Sequence, residues 1–343
     1  MTKRRGDFDS VIKVQTKELR QNLLALMHGN GIEHKVAACI LENLMDTELR
    51  GHSSHGLIQI PVILDKLKAG LISGKANYRI ISDHGAVCMV DGLCGMGYYI
   101  ANIAMERCIN KACEFGIGIV TVKNSSHFGS AGYYTSLAVR KGLVAVSMSN
   151  SRPLVAPSGS RRAILGTNPI SIGFPRNLEN GDRFLLDMST SVVSHNTVKQ
   201  YANNQEAVPS GWGIDRTGHP TTDPKKILDG GALLPIEAAG GAYKGLGLSI
   251  AIELFCALLS GGLASVEMER DDTSSCHTFM VINPDFFVGV EALIQHCSYI
   301  FQCYEEEESF YTPGSKLPHD SGEITLSTAV YDSIFSTLQD FKP

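Results

Sequence analysis

The sequence predicts an α/β protein of two lobes that is not built on the Rossmann fold. Three observations lead there: the chain before residue 70 carries helical periodicity alone, residues 86–149 alternate strand and helix patterns, and no G-x-G-x-x-G follows a strand. At 343 residues the chain is also longer than the ~250 residues that one core usually sustains.

Leu19, Leu23, Leu26 and Met27 recur at helical spacing over 17–28, and Gly29 and Gly31 end the run. A second helix is expected over 34–49, with Val36, Ile40, Leu41, Leu44 and Met45 on one face. It delivers Arg50 and the segment Gly51-His52-Ser53-Ser54-His55-Gly56 at its end. A short helix fits 57–69, closed by Gly70. From Ala86 the rhythm changes: a strand over 86–90, a periodic helix over 98–115 that stops at Gly116, and a buried strand over 117–122. Lys123-Asn124-Ser125-Ser126-His127-Phe128-Gly129 follows, then a helix over 131–141 and a strand over 143–149. Polar residues just after strand ends are where α/β proteins place their sites. Beyond Asn150 the chain is rich in Gly and Pro until a strand over 184–187, and so long a coil is usually functional. Gly240 to Gly245 opens an apolar helix over 246–259. A strand over 277–282, a helix over 284–301 and a Ser327-capped helix over 328–341 complete the pattern.

Composition narrows the function. Apolar residues make up 43% and charged ones 19%, which is globular rather than disordered. No run approaches the ~20 apolar residues of a membrane span, and the charged first ten residues lack the apolar stretch of a secretory signal, so a cytoplasmic protein is expected. Net charge is -5 with no Lys/Arg track, which argues against nucleic acid as a partner. The nine cysteines are odd in number and show no C-x-x-C, which suits reduced thiols.

The chemistry-bearing residues sit in short motifs. Gly95-Met96-Gly97 is followed by Tyr98, Tyr99 and Ile100, so isoleucine takes the third glycine's place, and Gly74-Lys75 lacks the Ser or Thr of a Walker A loop. Any dinucleotide must be held by another device. His52 and His55, three apart, could share a metal. No H-E-x-x-H, third-ligand cluster or Cys pair accompanies them, so no metal is expected, and general acid work on a carbonyl suits an imidazole better. His127 carries the same potential, its plain alternative being a turn residue. Arg50 could grip a carboxylate with two parallel hydrogen bonds, although many helix-end arginines are solvated charges. Lys244 lies among glycines before a helix start, where free N–H groups and the helix dipole attract phosphate.

Taken in order, these segments resemble the malate/L-lactate dehydrogenase family, a non-Rossmann group that also includes ureidoglycolate dehydrogenase, 2,3-diketogulonate reductase and Δ1-piperideine-2-carboxylate reductase. The likeness spans residues 16–318. It is carried by Leu49-Arg50-Gly51 with Ser54-His55-Gly56, Ser126-His127-Phe128-Gly129, Ser149-Asn150-Ser151, Gly166-Thr167-Asn168-Pro169, Asp187-Met188-Ser189-Thr190, Pro220-Thr221-Thr222-Asp223-Pro224, Tyr243-Lys244-Gly245 and Pro313-Gly314. Three stretches depart from the family pattern: Ser265 to His277 is short, Ser315-Lys316 follows Gly314 where an acidic residue is common, and Ser194-His195-Asn196 replaces small residues.

The resemblance implies a mixed sheet flanked by helices and a helical lobe from both chain ends. Boundaries of 1–75 with 284–343 for the helical substrate lobe, and 76–283 for the dinucleotide lobe, are expected. It implies an NAD(P)-dependent 2-hydroxy-acid dehydrogenase, most like a malate or lactate dehydrogenase, with NAD as cofactor and NADP as the alternative. A homodimer is implied, acting on a small 2-oxo or 2-hydroxy acid and binding neither nucleic acid nor membrane. By similarity Ser151, Asp187, Met188, Ser189, Tyr243, Lys244, Gly314, Ser315 and Lys316 line the cofactor. His55 is the favoured proton donor, with His127 the alternative acid or a substrate contact, and Arg50 clamps the carboxylate. The competing readings are a reductase of a bulkier 2-oxo or cyclic imino acid, a catalytically silent dinucleotide-binding module, and a metal-dependent hydrolase built on His52 and His55.

Overall fold

The computed structural model describes residues 11–236, 242–307, 310–314 and 322–340. The chain forms two units, one of residues up to 76 with those from 316 on, the other of residues 77–315.

The smaller unit begins with strand β1 (Val11–Gln15), α1 (Thr16–Gly29) and α2 (His34–Leu49). The periodic residues Leu19, Leu23, Leu26 and Met27 of α1 and Val36, Ile40, Leu41 and Leu44 of α2 are buried, as one apolar stripe per helix requires. Two short 3₁₀ turns, Ser53–His55 and Leu57–Gln59, lead into α3 (Ile60–Lys68), with Pro61 in its first turn.

The larger unit starts with β2 (Arg79–His84) and β3 (Val87–Asp91), followed by α4 (Gly97–Phe115) and β4 (Ile117–Ser125). Gly116 ends α4 with φ 82, the left-handed conformation that the sequence assigns to a helix stop. Then come α5 (Ala131–Val139), β5 (Val144–Ser149), β6 (Ile170–Asn177) and β7 (Asp182–Met188). Next are α6 (His195–Asn203), β8 (Gly213–Ile214), β9 (Pro220–Thr221), α7 (Pro224–Leu228) and β10 (Ala232–Leu233). The three two-residue strands form a sheet of order β10-β8-β9 over a small core of Val155, Leu165, Val198, Val208, Ile227 and Leu233.

The apolar helix predicted over 246–259 is α8 (Ala242–Glu253), and it widens into a π turn at Leu254–Leu258. β11 (Ser275–Ile282) and α9 (Val290–Glu305) follow, and β12 (Glu323–Ser327) and α10 (Thr328–Asp340) return to the smaller unit. There β12 pairs antiparallel with β1, Val11 opposite Ser327 and Gln15 opposite Glu323, so the two ends of the chain close one helical lobe. Among the described residues no helix is long and apolar enough to cross a membrane.

The main sheet has the order β2-β3-β4-β11-β5-β6-β7. Only β3 and β4 run parallel, joined through α4, so the sheet is mixed and flanked by helices as expected. Alternation of side chains along β11 explains how both faces are covered. Phe279 meets Tyr134 of α5 on one face, whereas the Thr278 hydroxyl donates to the Phe255 carbonyl of the π turn on the other.

One boundary differs from the sequence expectation. Residues 284–315, assigned to the helical lobe, pack with the sheet: Phe301 of α9 stacks on Phe184 of β7 at 5.6 Å and lies under the Arg176 guanidinium at 4.7 Å. The Ser298 hydroxyl donates to the Arg176 carbonyl at 2.8 Å. Those aromatic and Arg contacts tie α9 to the sheet, whereas the boundary implied by the resemblance put it in the helical lobe.

Candidate active site

Five strand ends meet on one rim of the sheet in the larger unit. Ser125 at the end of β4 faces Ser275 of β11, Ser149 at the end of β5 faces His277, and Ile170 of β6 lies between Met148 and Met188. The register therefore gathers Ser125 to His127, Ser149 to Ser151, Asn168 to Ile170 and Met188-Ser189 along one edge.

The Ser126-His127-Phe128-Gly129 motif divides into anchors and one presented group. Ser126 is buried; it accepts the Gly97 N–H at 2.9 Å and donates to the Gly95 carbonyl at 3.0 Å. Phe128 is sandwiched between His277, at 4.5 Å and 6°, and Tyr134, at 5.1 Å and 16°. His127 alone is exposed, its ring against the edge of Tyr98 and its Nδ1 accepting the Gly129 N–H at 3.3 Å. This turn explains the Gly-x-Gly run that is not a dinucleotide fingerprint. A Cβ on Gly97 would stand 2.1 Å from the Ser126 carbonyl oxygen and 2.6 Å from that of His127, so the start of α4 can approach the turn only as glycine.

A buried imidazole supports the turn from within the sheet. His277 is fully buried, with the Ser149 hydroxyl 2.9 Å from Nδ1 and the Ser125 hydroxyl 2.8 Å from Nε2. Burial penalises the charged ring and brings its pKa down to about 3, so it is a neutral link between β4 and β5.

The proposed cofactor residues join this rim. Asp187 accepts the Ser130 hydroxyl at 2.7 Å, which ties β7 to the His127 turn. Ser189 donates to the Ser191 carbonyl at 3.0 Å. The Leu185 N–H donates to the Pro313 carbonyl, which lays Gly314 against β7 at φ 78, with its Cβ position 2.4 Å from that of Leu185. Ser151 accepts the Thr167 N–H, and the Thr190 N–H donates to the Thr167 carbonyl. Tyr243 and Lys244 are exposed in the first turn of α8, whose Gly245 lies against Ile236; the Ile236 N–H in turn donates to the Thr190 carbonyl. Ser315 and Lys316 lie outside the described residues.

Glu253, at the end of α8, knots these loops together. Its buried carboxylate accepts Asn150 Nδ2 (2.8 Å), Asn168 Nδ2 (2.8 Å), the Ser265 N–H (2.7 Å) and the Ser265 hydroxyl (2.6 Å). Four donors, on three separate loops, satisfy a charge that would be costly to bury alone. Sequence reading passed over Glu253 and His277; a lone acid in an apolar helix and a histidine inside a strand were the signals for them.

The smaller unit holds Arg50, His52 and His55. Arg50 caps α2, and its Nε donates to Asp46 at 2.8 Å with the side chain only 6% exposed. His55 ends a 3₁₀ turn, its Nδ1 3.0 Å from the Ser54 hydroxyl. Glu48 anchors that turn: it accepts the Ser53 hydroxyl at 2.5 Å and the Leu57 N–H at 2.9 Å, and burial pushes its carboxyl above the ordinary carboxylate pKa. Among the described residues no three His, Cys, Asp or Glu side chains are grouped to hold a metal ion.

The profile of the malate/L-lactate dehydrogenase family matches residues 14–319. A malate dehydrogenase of Pyrococcus horikoshii is 35% identical over 300 residues, 86% of this chain and 82% of that one. The solved malate dehydrogenase from the same organism superposes with TM-score 0.83 at 31% identity, over 98% of this chain and 97% of that chain. The solved Δ1-piperideine-2-carboxylate reductase of Pseudomonas syringae gives TM-score 0.81 at 30% identity, over 96% and 95% of the two chains.

Proposed function

Because the chain belongs to the malate/L-lactate dehydrogenase family, we propose that it is an oxidoreductase that moves a hydride between a nicotinamide dinucleotide and a small 2-oxo or 2-hydroxy acid. Oxaloacetate with malate, or pyruvate with lactate, is the assigned pair, NAD the assigned cofactor and NADP the alternative. The reading takes the protein as a cytoplasmic homodimer with small-molecule partners, and with neither nucleic acid nor membrane among them.

The observation that supports it most is the hydrogen-bonded rim linking the His127 turn, Ser151, Asp187 to Ser189 and Gly314. The donor set suits an anionic, hydroxyl-rich dinucleotide. It offers the hydroxyls of Ser151 and Ser189, the ammonium of Lys244 and the positive end of the α8 dipole, with Asp187 as an acceptor. Ser315 and Lys316 remain assigned to the same role.

A bound reduced nicotinamide supplies the hydride. The chain's own residues orient the acid and provide the proton. In this reading Arg50 clamps the substrate carboxylate, with Asp46 fixing the plane of its guanidinium from the Nε edge. His55 donates to the 2-oxo oxygen from Nε2 as an imidazolium, its Nδ1–H donating to the Ser54 hydroxyl and so holding the ring as the proton leaves. His127 is the alternative acid or a substrate contact; with Nδ1 accepting the Gly129 N–H, its neutral ring presents the Nε2–H as a hydrogen-bond donor to the substrate.

The test is oxidation of NADH and NADPH by wild type, His55→Ala and His127→Ala with oxaloacetate, pyruvate and larger 2-oxo acids. Loss of the acid should cost about 100-fold or more in turnover. Near wild-type rates for both variants defeat the assignment of the acid, and no turnover of any substrate by a wild type that binds dinucleotide favours the silent module. Similarity to the piperideine carboxylate reductase supports the second reading, a bulkier or cyclic imino substrate, which the same substrate series separates.

A further inference from the structure

Directly after Ser151 the rim carries a group of cations that the catalytic reading leaves unused. The Arg152 guanidinium donates to the Arg270 carbonyl, and the Arg270 guanidinium donates to the Gly231 carbonyl. These bonds hold both arginines against backbone rather than against acids. His195 and Lys199 share one face of α6, four residues apart. That helix is fastened to the segment after Arg152: Val198 is in one core with Val155 and Leu165, and Ser194 caps the helix by accepting the Thr197 N–H at 3.1 Å.

The electrostatics match this geometry. Burial and then the Arg270 charge hold the Arg152 guanidinium below its usual range, with Asp271 opposing. Burial and then Arg152 lower Lys199. Burial, followed by Lys199, Arg152 and Arg270, brings His195 down to about 3, leaving it a neutral donor at neutral pH. Among the described residues Lys199 has no carboxylate partner; Lys199, Arg152 and Arg270 each act on the His195 imidazole, with Asp271 as the acidic neighbour of Arg152. Like charges gathered this way repel, and a polyanion among them relieves the repulsion while accepting several charge-assisted hydrogen bonds.

We propose that Arg152, Lys199, His195 and Arg270 form a phosphate-binding site that receives a phosphate group of the dinucleotide. The inference rests on the dehydrogenase reading and deepens it, because Arg152 follows the cofactor residue Ser151 in the chain. Two phosphates share the required chemistry: the 2′-phosphate of NADP(H), and the pyrophosphate bridge common to both cofactors.

The experiment titrates NADPH, NADH and inorganic pyrophosphate by calorimetry against wild type, Lys199→Met and Arg152→Met. Lys199 stands at the surface with its stem partly covered, and Lys199→Met keeps an unbranched apolar stem there, so that variant carries the test if Arg152→Met misfolds. A roughly tenfold or greater loss of NADPH affinity with NADH unchanged supports the site through the 2′-phosphate. Equal losses for both nucleotides support it through the pyrophosphate bridge. Unchanged affinity for both in folded Lys199→Met overturns it. If wild type binds neither nucleotide the dehydrogenase reading fails instead; pyrophosphate binding that Lys199→Met weakens then still supports the phosphate site, and its absence overturns that too.

Discussion

A buried imidazole held between two hydroxyls has a defined electrical state, and for His277 it is the neutral one. Its folded pKa of about 3 lies below the ordinary 6.5, so between these values the unfolded chain binds a proton that the folded chain refuses. Stability should therefore fall as pH drops from 6.5 toward 3. His195, held down to about 3 by burial, adds to the same window. Replacing His277 with Asn is expected to make that acid slope shallower while costing about 2 kcal/mol at neutral pH, measured by urea unfolding across a pH series. Glu48 works in the other sense. Burial raises its pKa, so the folded chain binds the extra proton and stability declines as pH rises from 4.5 through the folded value. Glu48→Gln should remove that decline, read as melting temperatures that cease to fall over the window. His127 was legible in sequence because it follows an apolar strand in a run of small polar residues. The roles of Glu253 and His277 were not, since each depends on partners from distant segments that local spacing cannot reveal.

At the scale of elements, the junction of α4 with the end of β4 controls how His127 is offered. Gly97→Ala places a methyl against the Ser126 and His127 carbonyls, and neither is the end of a flexible side chain. The turn must shift, so turnover should fall by about 10-fold to 100-fold with secondary structure nearly unchanged by circular dichroism. The α1, α2, α4 and α5 helices and strands β4, β5 and β11 were readable from period and from glycine stops. β6 was not, because Pro175 and its Gly/Pro-rich approach mask the alternation of Ile170, Ile172 and Phe174. The π turn after Glu253 was hidden as well, since an apolar run has the same composition whether its winding is tight or wide.

At the scale of the molecule, the helical lobe needs both chain ends. β1 has β12 as its ladder partner, and Ile324, Leu326, Val330 and Ile334 are buried. A chain cut before Glu323 leaves the β1 edge unpaired and uncovers that apolar surface. Hydrogen exchange followed by mass spectrometry should then show lost protection in 11–68 while β4, β5 and β11 keep theirs; equal protection in both chains would count against this account of the lobe. The family resemblance implied a lobe drawn from both termini with its edge at 284, whereas α9 has the helical period of either lobe and only the contacts of Phe301 and Arg176 decide between them.

The Glu253 carboxylate makes the loops after β5, before β6 and after the π turn share one fate. No one of them can travel during a catalytic cycle without surrendering a bond to the same pair of oxygens, so they turn over as a rigid block. Adaptation to a new acid must then come from side chains projecting off that block, whose replacement leaves its frame standing.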